Sequence, residues 1–133
     1  MTTDARTALD ACVDTIESGY EYFLAYAAQG RRSDRDGGAA TSEVRNHLEK
    51  MIAALDELDS TVRACAAERG AEIQQSGAAF FDAVAADAAT AAGAFRITLA
   101  RSDISSQLID NLNASIHVRA MLTDLFVVDE ALR

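Results

Sequence analysis

Four carboxylates near the start of the chain have the spacing that metal chemistry requires. They recur every three or four residues, which places them on one strip of a helix: Asp10, Asp14, Glu17 and Glu21. Stacked carboxylates repel one another unless a positive group meets them, and their oxygens are ligands for iron and for hard cations. The strip predicts either a metal site inside a helical bundle, with Glu17 and Glu21 as ligands, or a solvated acidic edge that arginines neutralise. The second arrangement is the more common one, and we favour it.

A second pair of potential metal ligands follows. Glu43 and His47 are four residues apart and share one face of a helix, where a carboxylate and an imidazole can chelate a metal. With Glu17 and Glu21 they complete a candidate metal site. The alternative is that His47 packs at the border of the core. The sequence contains no glycine-rich phosphate loop, paired CxxC, nucleophile elbow or HExxH motif, so it predicts no catalytic residue.

The charge balance limits the partners of this chain. The 133 residues include 12 basic and 21 acidic side chains and carry a formal net charge of −9, so the surface repels nucleic acid and anionic membranes. No apolar run approaches the roughly 20 residues that span a bilayer, and the first residues do not resemble a signal peptide. Cys12 and Cys65 fall on the apolar sides of their helices, which predicts buried thiols in a reducing compartment. We expect a single cytoplasmic domain, residues 1–133, without a cofactor.

Composition and apolar periodicity predict an all-α fold. The chain has no proline and is rich in alanine, which favours helices. Apolar side chains at alternating spacings of four and three residues form a heptad seam: Val44, Leu48, Met51, Leu55, Leu58, Val62 and Cys65. Similar stripes predict three further helices, so that the first, second and fourth cover about residues 4–29, 42–69 and 103–132, and the third ends near residue 101. Either Gly70 or Gly77 could be the corner between the second helix and the third.

The connections predict how these helices are arranged. Short connections after the second and third helices imply antiparallel neighbours, and hence an antiparallel up-down-up-down four-helix bundle. A kinked helical hairpin is the competing arrangement. The long connection, residues 30–40, is polar and glycine-bearing and has no apolar side chain to anchor it, so we expect it to be mobile in the free protein.

Two predicted helices carry more apolar surface than a bundle of this size needs. On the first helix, tyrosines widen the apolar stripe, and near the end of the last helix apolar side chains point almost all round. Self-association or a protein partner would cover the excess, whereas the alternative is a terminal helix that lies centrally. The predicted interface consists of Tyr22, Tyr26, Met121, Leu125, Val128 and Leu132.

Arg119 is unusual because it falls within an apolar stripe. The stripe is defined by Leu112, Ile116 and Phe126. A guanidinium in such a position needs a carboxylate or a path to solvent. We expect Arg119 to pair with a carboxylate and so to fix the register of the helices.

The segment 17–26, ESGYEYFLAY, together with four long helices resembles the ferritin-like and bacterioferritin-like proteins. The stretch 24–30, LAYAAQG, is similar to small bacterioferritin-like proteins associated with carboxysome operons. The resemblance implies iron binding and ferroxidase activity, with Glu17 or Glu21 as a ligand. Ferritin-like di-iron sites take a Glu-x-x-His pair from each of two helices. Glu43 and His47 do not have that spacing and the last helix has no such pair, so the resemblance implies a degenerate site.

These observations support two hypotheses from different classes. The first is a non-enzymatic, acidic helical bundle of a bacterial-type cytosol that forms a homo-oligomer and acts as a protein–protein interaction or scaffolding module. The alternative is a ferritin-like protein that binds iron through Glu17, Glu21, Glu43 and His47. A third possibility, a protein that mimics the charge of nucleic acid, depends on the net charge of −9 alone.

Overall fold

The computed structural model describes residues 4–35 and 42–133, and within them the chain is all-helical. The described residues form six helices: α1 (Ala5–Ala27), α2 (Glu43–Arg69), α3 (Ala71–Ser76), α4 (Ala78–Leu99), α5 (Ser106–Ala114) and α6 (Ile116–Ala131). The all-α prediction is therefore confirmed. The number of helices differs from the predicted four, because the chain breaks at three short polar or glycine-bearing points.

Side-chain caps begin α1 and α2, the two longest helices. Asp4 accepts hydrogen bonds from the backbone N–H groups of Arg6 and Thr7 at the start of α1, and Ser42 accepts one from Arg45 at the start of α2. Such caps pair N–H groups that have no partner within the helix. The prediction left open whether Gly70 or Gly77 forms the corner, and both interrupt the chain, with α3 between them. Gly70 has φ 113°, a conformation that favours glycine.

The predicted last helix is interrupted at Ser115. This residue is extended, with ψ 131°, and its hydroxyl accepts a hydrogen bond from the backbone N–H of His117 at the start of α6. The interruption shifts the phase of the helix, so the predicted stripe does not continue across it. Ile116 and Phe126 are 75% and 51% exposed, and Arg119 is exposed too. The stripe in which Arg119 was placed is therefore not buried, and Arg119 reaches solvent; no ion pair joins it to a carboxylate among residues 4–35 and 42–133.

The core lies between the helices that contact one another. Helix α1 packs on α2 and α5, α2 packs on α4, and α4 packs on α6. The heptad seam of α2 is confirmed, since all seven of its side chains are buried. Cys12 and Cys65 are buried free thiols, as predicted. Aromatic contact across the core joins Phe23 to Phe95, whose ring centroids are 5.7 Å apart.

Most of the predicted interface lies in this core instead of on the surface. Five of its six side chains are at most 1% exposed: Tyr26, Met121, Leu125, Val128 and Leu132. Tyr22 is half-buried. The prediction failed for α6 because the break at Ser115 sets which side of that helix faces inward. The inward side carries Val118, Met121, Leu122, Leu125 and Val128.

Helix α4 is unusual among the described helices. By length and composition, Ala78–Leu99 is apolar enough to cross a membrane, which the sequence analysis did not recognise, although core helices of soluble proteins meet the same test. Only 33% of its most apolar stretch is buried. The helix therefore exposes a largely apolar surface.

Candidate functional site

The predicted metal ligands do not form a cluster. Glu17, Glu21 and Glu43 are exposed, and His47 is half-buried. Within residues 4–35 and 42–133, no three His, Cys, Asp or Glu side chains are grouped so that they could hold a metal ion. The structure therefore offers no geometric support for the metal site, which stays a prediction.

His47 is instead packed against an aromatic ring. Its imidazole stacks on Tyr22, with ring centroids 4.2 Å apart and an angle of 18° between the planes. Burial lowers the pKa of His47, the charge of Lys50 lowers it further, and Glu43 opposes both. Burial also raises the pKa of Tyr22, with a contribution from Glu43. This arrangement favours the interpretation of His47 as a packed side chain over that of a ligand.

The end of α1 is tied to the start of α5 by a buried polar cluster. The Tyr26 hydroxyl donates to the carbonyl of Ile104 at 2.7 Å, and the Ser106 hydroxyl donates to the carbonyl of Tyr26 at 2.7 Å. Arg31 and Ser106 are joined by two further hydrogen bonds, both 2.9 Å long. Tyr26 is therefore a structural residue and is not accessible to a partner.

A second polar cluster anchors the connection after α1. Asp34 accepts from Arg45 Nε at 2.7 Å and from the Ile104 N–H at 2.9 Å. Burial opposes ionisation of Asp34, but hydrogen bonds from Arg45, Ile104 and Ser42 outweigh it and lower the pKa of Asp34 to about 2. The sequence analysis expected no anchor for residues 30–40, yet polar contacts anchor 30–35. The rest of that loop lies outside the described residues.

An exposed apolar surface lies on α4 and α6. We call it the α4–α6 face and define it by side chains on the outer side of each helix, three or four residues apart except for the two turns between Thr90 and Ile97: Ala83, Ala86, Thr90 and Ile97 on α4, and Ile116, Ala120, Thr123 and Val127 on α6. Ile97 and Val127 are 73% and 47% exposed. None of these eight side chains is charged, so the face can be dehydrated at low cost.

An apolar cleft extends this face at one end. It has a volume of about 230 Å³ and lies where α3 and the start of α4 meet the end of α6. Its lining includes Ile73, Phe80, Val127 and Leu132. Ile73 belongs to α3, a helix with no buried residue. The exposed apolar surface is therefore continuous from α6 to α3.

Two carboxyls interrupt the apolar surface between α4 and α6. Asp124 on α6 has its Oδ2 atom buried without a hydrogen-bond donor. Burial, a side-chain hydrogen bond with Asp87 on α4 and the negative charge of Asp87 together raise the pKa of Asp124 to about 7. Two ionised carboxylates cannot hydrogen-bond to each other, so the contact requires a proton. The contact between Asp87 and Asp124 is therefore favourable only while the two carboxyls share a proton.

The sequence analysis did not identify this pair, although the sequence contains one signal for it. Asp87 is the one charged residue among residues 83–95. An isolated carboxylate within an apolar helix is costly unless it reaches solvent or a partner. That signal marks Asp87 but cannot identify Asp124, which lies on another helix.

Comparison of the chain with models of protein families, with curated proteins and with solved structures found no match. The resemblance to ferritin-like proteins therefore remains a hypothesis that depends on the quoted segments alone.

Proposed function

We propose that this chain is a non-enzymatic helical protein that self-associates, and that the α4–α6 face binds a second copy of the chain. The observation that carries the proposal is the exposure of an uncharged face on two adjacent helices of an acidic protein. Contiguous apolar surface of this extent is uncommon on monomers and usually marks an interaction site.

The charge distribution indicates which face a second copy would use. Two copies carry a net charge of −9 each, and like charges brought together oppose association. The α4–α6 face has the fewest charges to bring together, since Asp87 and Asp124 are the carboxyls between its two rows of side chains. A basic partner would instead be drawn to the exposed acidic strip of α1.

The size of the face is sufficient for a weak dimer. Helix α4 has 22 residues, which corresponds to a length of ~33 Å. Helix α6 has 16 residues, a length of ~24 Å. Each helix is ~10 Å wide, so the two together present on the order of 600 Å² on each copy. Burying it on both copies removes on the order of 1,200 Å², at the lower end for stable interfaces. The small side chains of α4 allow a second helix to approach closely.

We further propose that the six helices form the four antiparallel segments of an up-down bundle. Helices α1 and α2 are one segment each, α3 and α4 together are the third, and α5 and α6 together are the fourth. Contacts in opposite chain order support antiparallel neighbours. On α1 and α2, the N–H of Ala5 lies 3.4 Å from the Glu68 carboxylate, whereas Tyr22 stacks on His47. On α2 and α4, Arg63 pairs with Asp82 and Asp56 pairs with Arg96.

Sedimentation equilibrium over a range of micromolar concentrations tests the proposed function. We expect wild type to shift from monomer to dimer as concentration rises, and Ala86→Arg to stay monomeric, because a guanidinium would have to be buried at the centre of the face. Ala64→Arg, at an exposed position of α2, is the matched control and should dimerise like wild type.

A wild type that stays monomeric, or an Ala86→Arg variant that dimerises normally, would refute the proposal. Binding of the monomer to neutral lipid vesicles would assign the face to a membrane instead.

A further inference from the structure

We propose that self-association through the α4–α6 face is coupled to proton uptake by the carboxyl pair Asp87–Asp124, so that the dimer forms more readily as the pH falls below neutral. This inference rests on the proposed function, because it concerns the regulation of the same face.

The position of the pair supports the coupling. On α4, Asp87 lies between Ala83 and Thr90, one helical turn away on either side. On α6, Asp124 lies between Ala120 and Val127 in the same way. A second copy that covers these side chains also covers the two carboxyls and removes them from water.

The ionised pair opposes such burial. The Asp124 Oδ2 atom has no hydrogen-bond donor in the monomer, and transferring an unpaired carboxylate from water is unfavourable. A shared proton removes one negative charge per copy and provides the missing donor. The dimer therefore binds protons more tightly than two monomers do, and by linkage its dissociation constant rises with pH.

The other charged side chains near the pair either form ion pairs or are exposed to solvent. Asp82 pairs with Arg63 and Arg96 pairs with Asp56, both towards α2. Asp129 pairs with Arg6 of α1. On α5 and on α6 itself the remaining charged or titratable side chains are exposed: Asp110, His117, Arg119 and Glu130. Helix α1 also packs on α6, and its carboxylates are exposed as well: Asp10, Asp14, Glu17 and Glu21. Histidine commonly titrates near neutral pH, so the test must remove His117.

The test measures the dimer dissociation constant by sedimentation equilibrium at about pH 6, 7 and 8 and constant ionic strength. Up to two protons are taken up per dimer, so we expect wild type to dissociate at least about tenfold more readily at pH 8 than at pH 6. Asp87→Asn/Asp124→Asn should remove that dependence and dimerise at pH 8 about as well as wild type does at pH 6. His117→Gln and the surface control Asp14→Asn should retain it.

Each outcome separates this inference from the proposed function. Dimerisation that does not depend on pH, or a dependence that disappears in His117→Gln and persists in the double variant, would overturn the inference and leave self-association standing. Absence of a dimer at every pH would overturn both. If the double variant does not fold, dilution calorimetry of wild type in two buffers of different ionisation enthalpy measures the protons released on dissociation. Zero protons released would overturn the inference.

Discussion

Replacing Arg45 with methionine removes the cation that holds the polar cluster after α1. Arg45 donates to the Asp34 carboxylate and also to the carbonyls of Leu99, Arg101 and Ser102, at 2.7 to 3.0 Å. The Asp34 side chain is only 1% exposed and that of Arg45 is 20% exposed. Methionine keeps much of the packing volume and removes the charge and all the donors. The variant therefore isolates the polar contribution of one side chain.

We expect Arg45→Met to lower the free energy of unfolding by about 3 kcal/mol at neutral pH. Removing one partner of a buried ion pair costs roughly 3–5 kcal/mol, and the lower end applies because Arg45 is partly exposed and water can reach some of the freed carbonyls. The lowered pKa of Asp34 gives a stabilisation of similar size, because protonation is linked to unfolding. A pKa of Asp34 lowered from 3.8 to about 2 corresponds to about 2 kcal/mol.

Urea denaturation followed by circular dichroism measures this loss. Arg63→Met is the matched control: Arg63 also pairs with two aspartates, but its side chain is 43% exposed, so its loss should cost about 0–1 kcal/mol. Because the folded pKa of Asp34 is lowered, its stabilisation is present above about pH 4 and is lost as the pH falls through about 2. Equal effects of the two substitutions would refute the assignment of Asp34–Arg45 as the anchor of residues 30–35.

Three further predictions use other parts of the fold. The pKa of Asp124 in the folded protein is raised from 3.8 to about 7, so the protein should lose stability as the pH rises. At low protein concentration the free energy of unfolding should fall by roughly 2 kcal/mol between pH 4 and 7, a value reduced because solvent screens a partly exposed group. Urea titrations of Asp124→Asn should show no such fall. Gly19→Ala would place a Cβ 2.6 Å from the Met51 sulfur and should lower the free energy of unfolding by about 1–3 kcal/mol. Gly93→Ala has open space around the new Cβ and should raise the free energy of unfolding by about 0.5–1 kcal/mol, which thermal melts would show. Burial raises the pKa of Cys12, so a thiol reagent should modify Cys12 in the native protein far more slowly than in urea.

The sequence predicted the parts of the fold that depend on periodicity within one element. The seam from Val44 to Cys65 has the same apolar spacing throughout, and all of it is buried. Glycine at Gly70 and Gly77 also predicted interruptions correctly, because each glycine weakens a helix locally. These features depend on residues within a few positions of one another.

The break at Ser115 could not be predicted in the same way. Ser115 lies between Ala114 and Ile116, and serine occurs both within helices and at their N-terminal caps. Without the break, the apolar side chains after it were assigned to the wrong side of the helix. The interface was therefore predicted from Met121 and Leu125, which the core buries.

The polar anchors were missed because they join residues that are distant in the sequence. Asp34 binds Arg45 and the Ile104 N–H, which is 70 residues away. A search for apolar anchors in residues 30–35 finds none, although buried hydrogen bonds hold a loop as effectively when every donor and acceptor is paired. The metal prediction also joined residues of two helices, Glu17 and His47, by residue type alone. The described residues do not group them with other ligands, so that prediction still depends on the sequence.

The contrast between α2 and α4 explains why the α4–α6 face is the most informative surface of this chain. Both helices have one buried side, but the outer side of α2 carries exposed charges such as Glu49, Lys50 and Glu57. Helix α4 has only three charged residues among 22, Asp82, Asp87 and Arg96, and two of them form ion pairs towards α2. A solvent-facing helix side requires polar residues for solubility but not for folding. The lack of charge on the outer side of α4 is therefore not required by the fold, and the proposed binding of a second copy on that side would account for it.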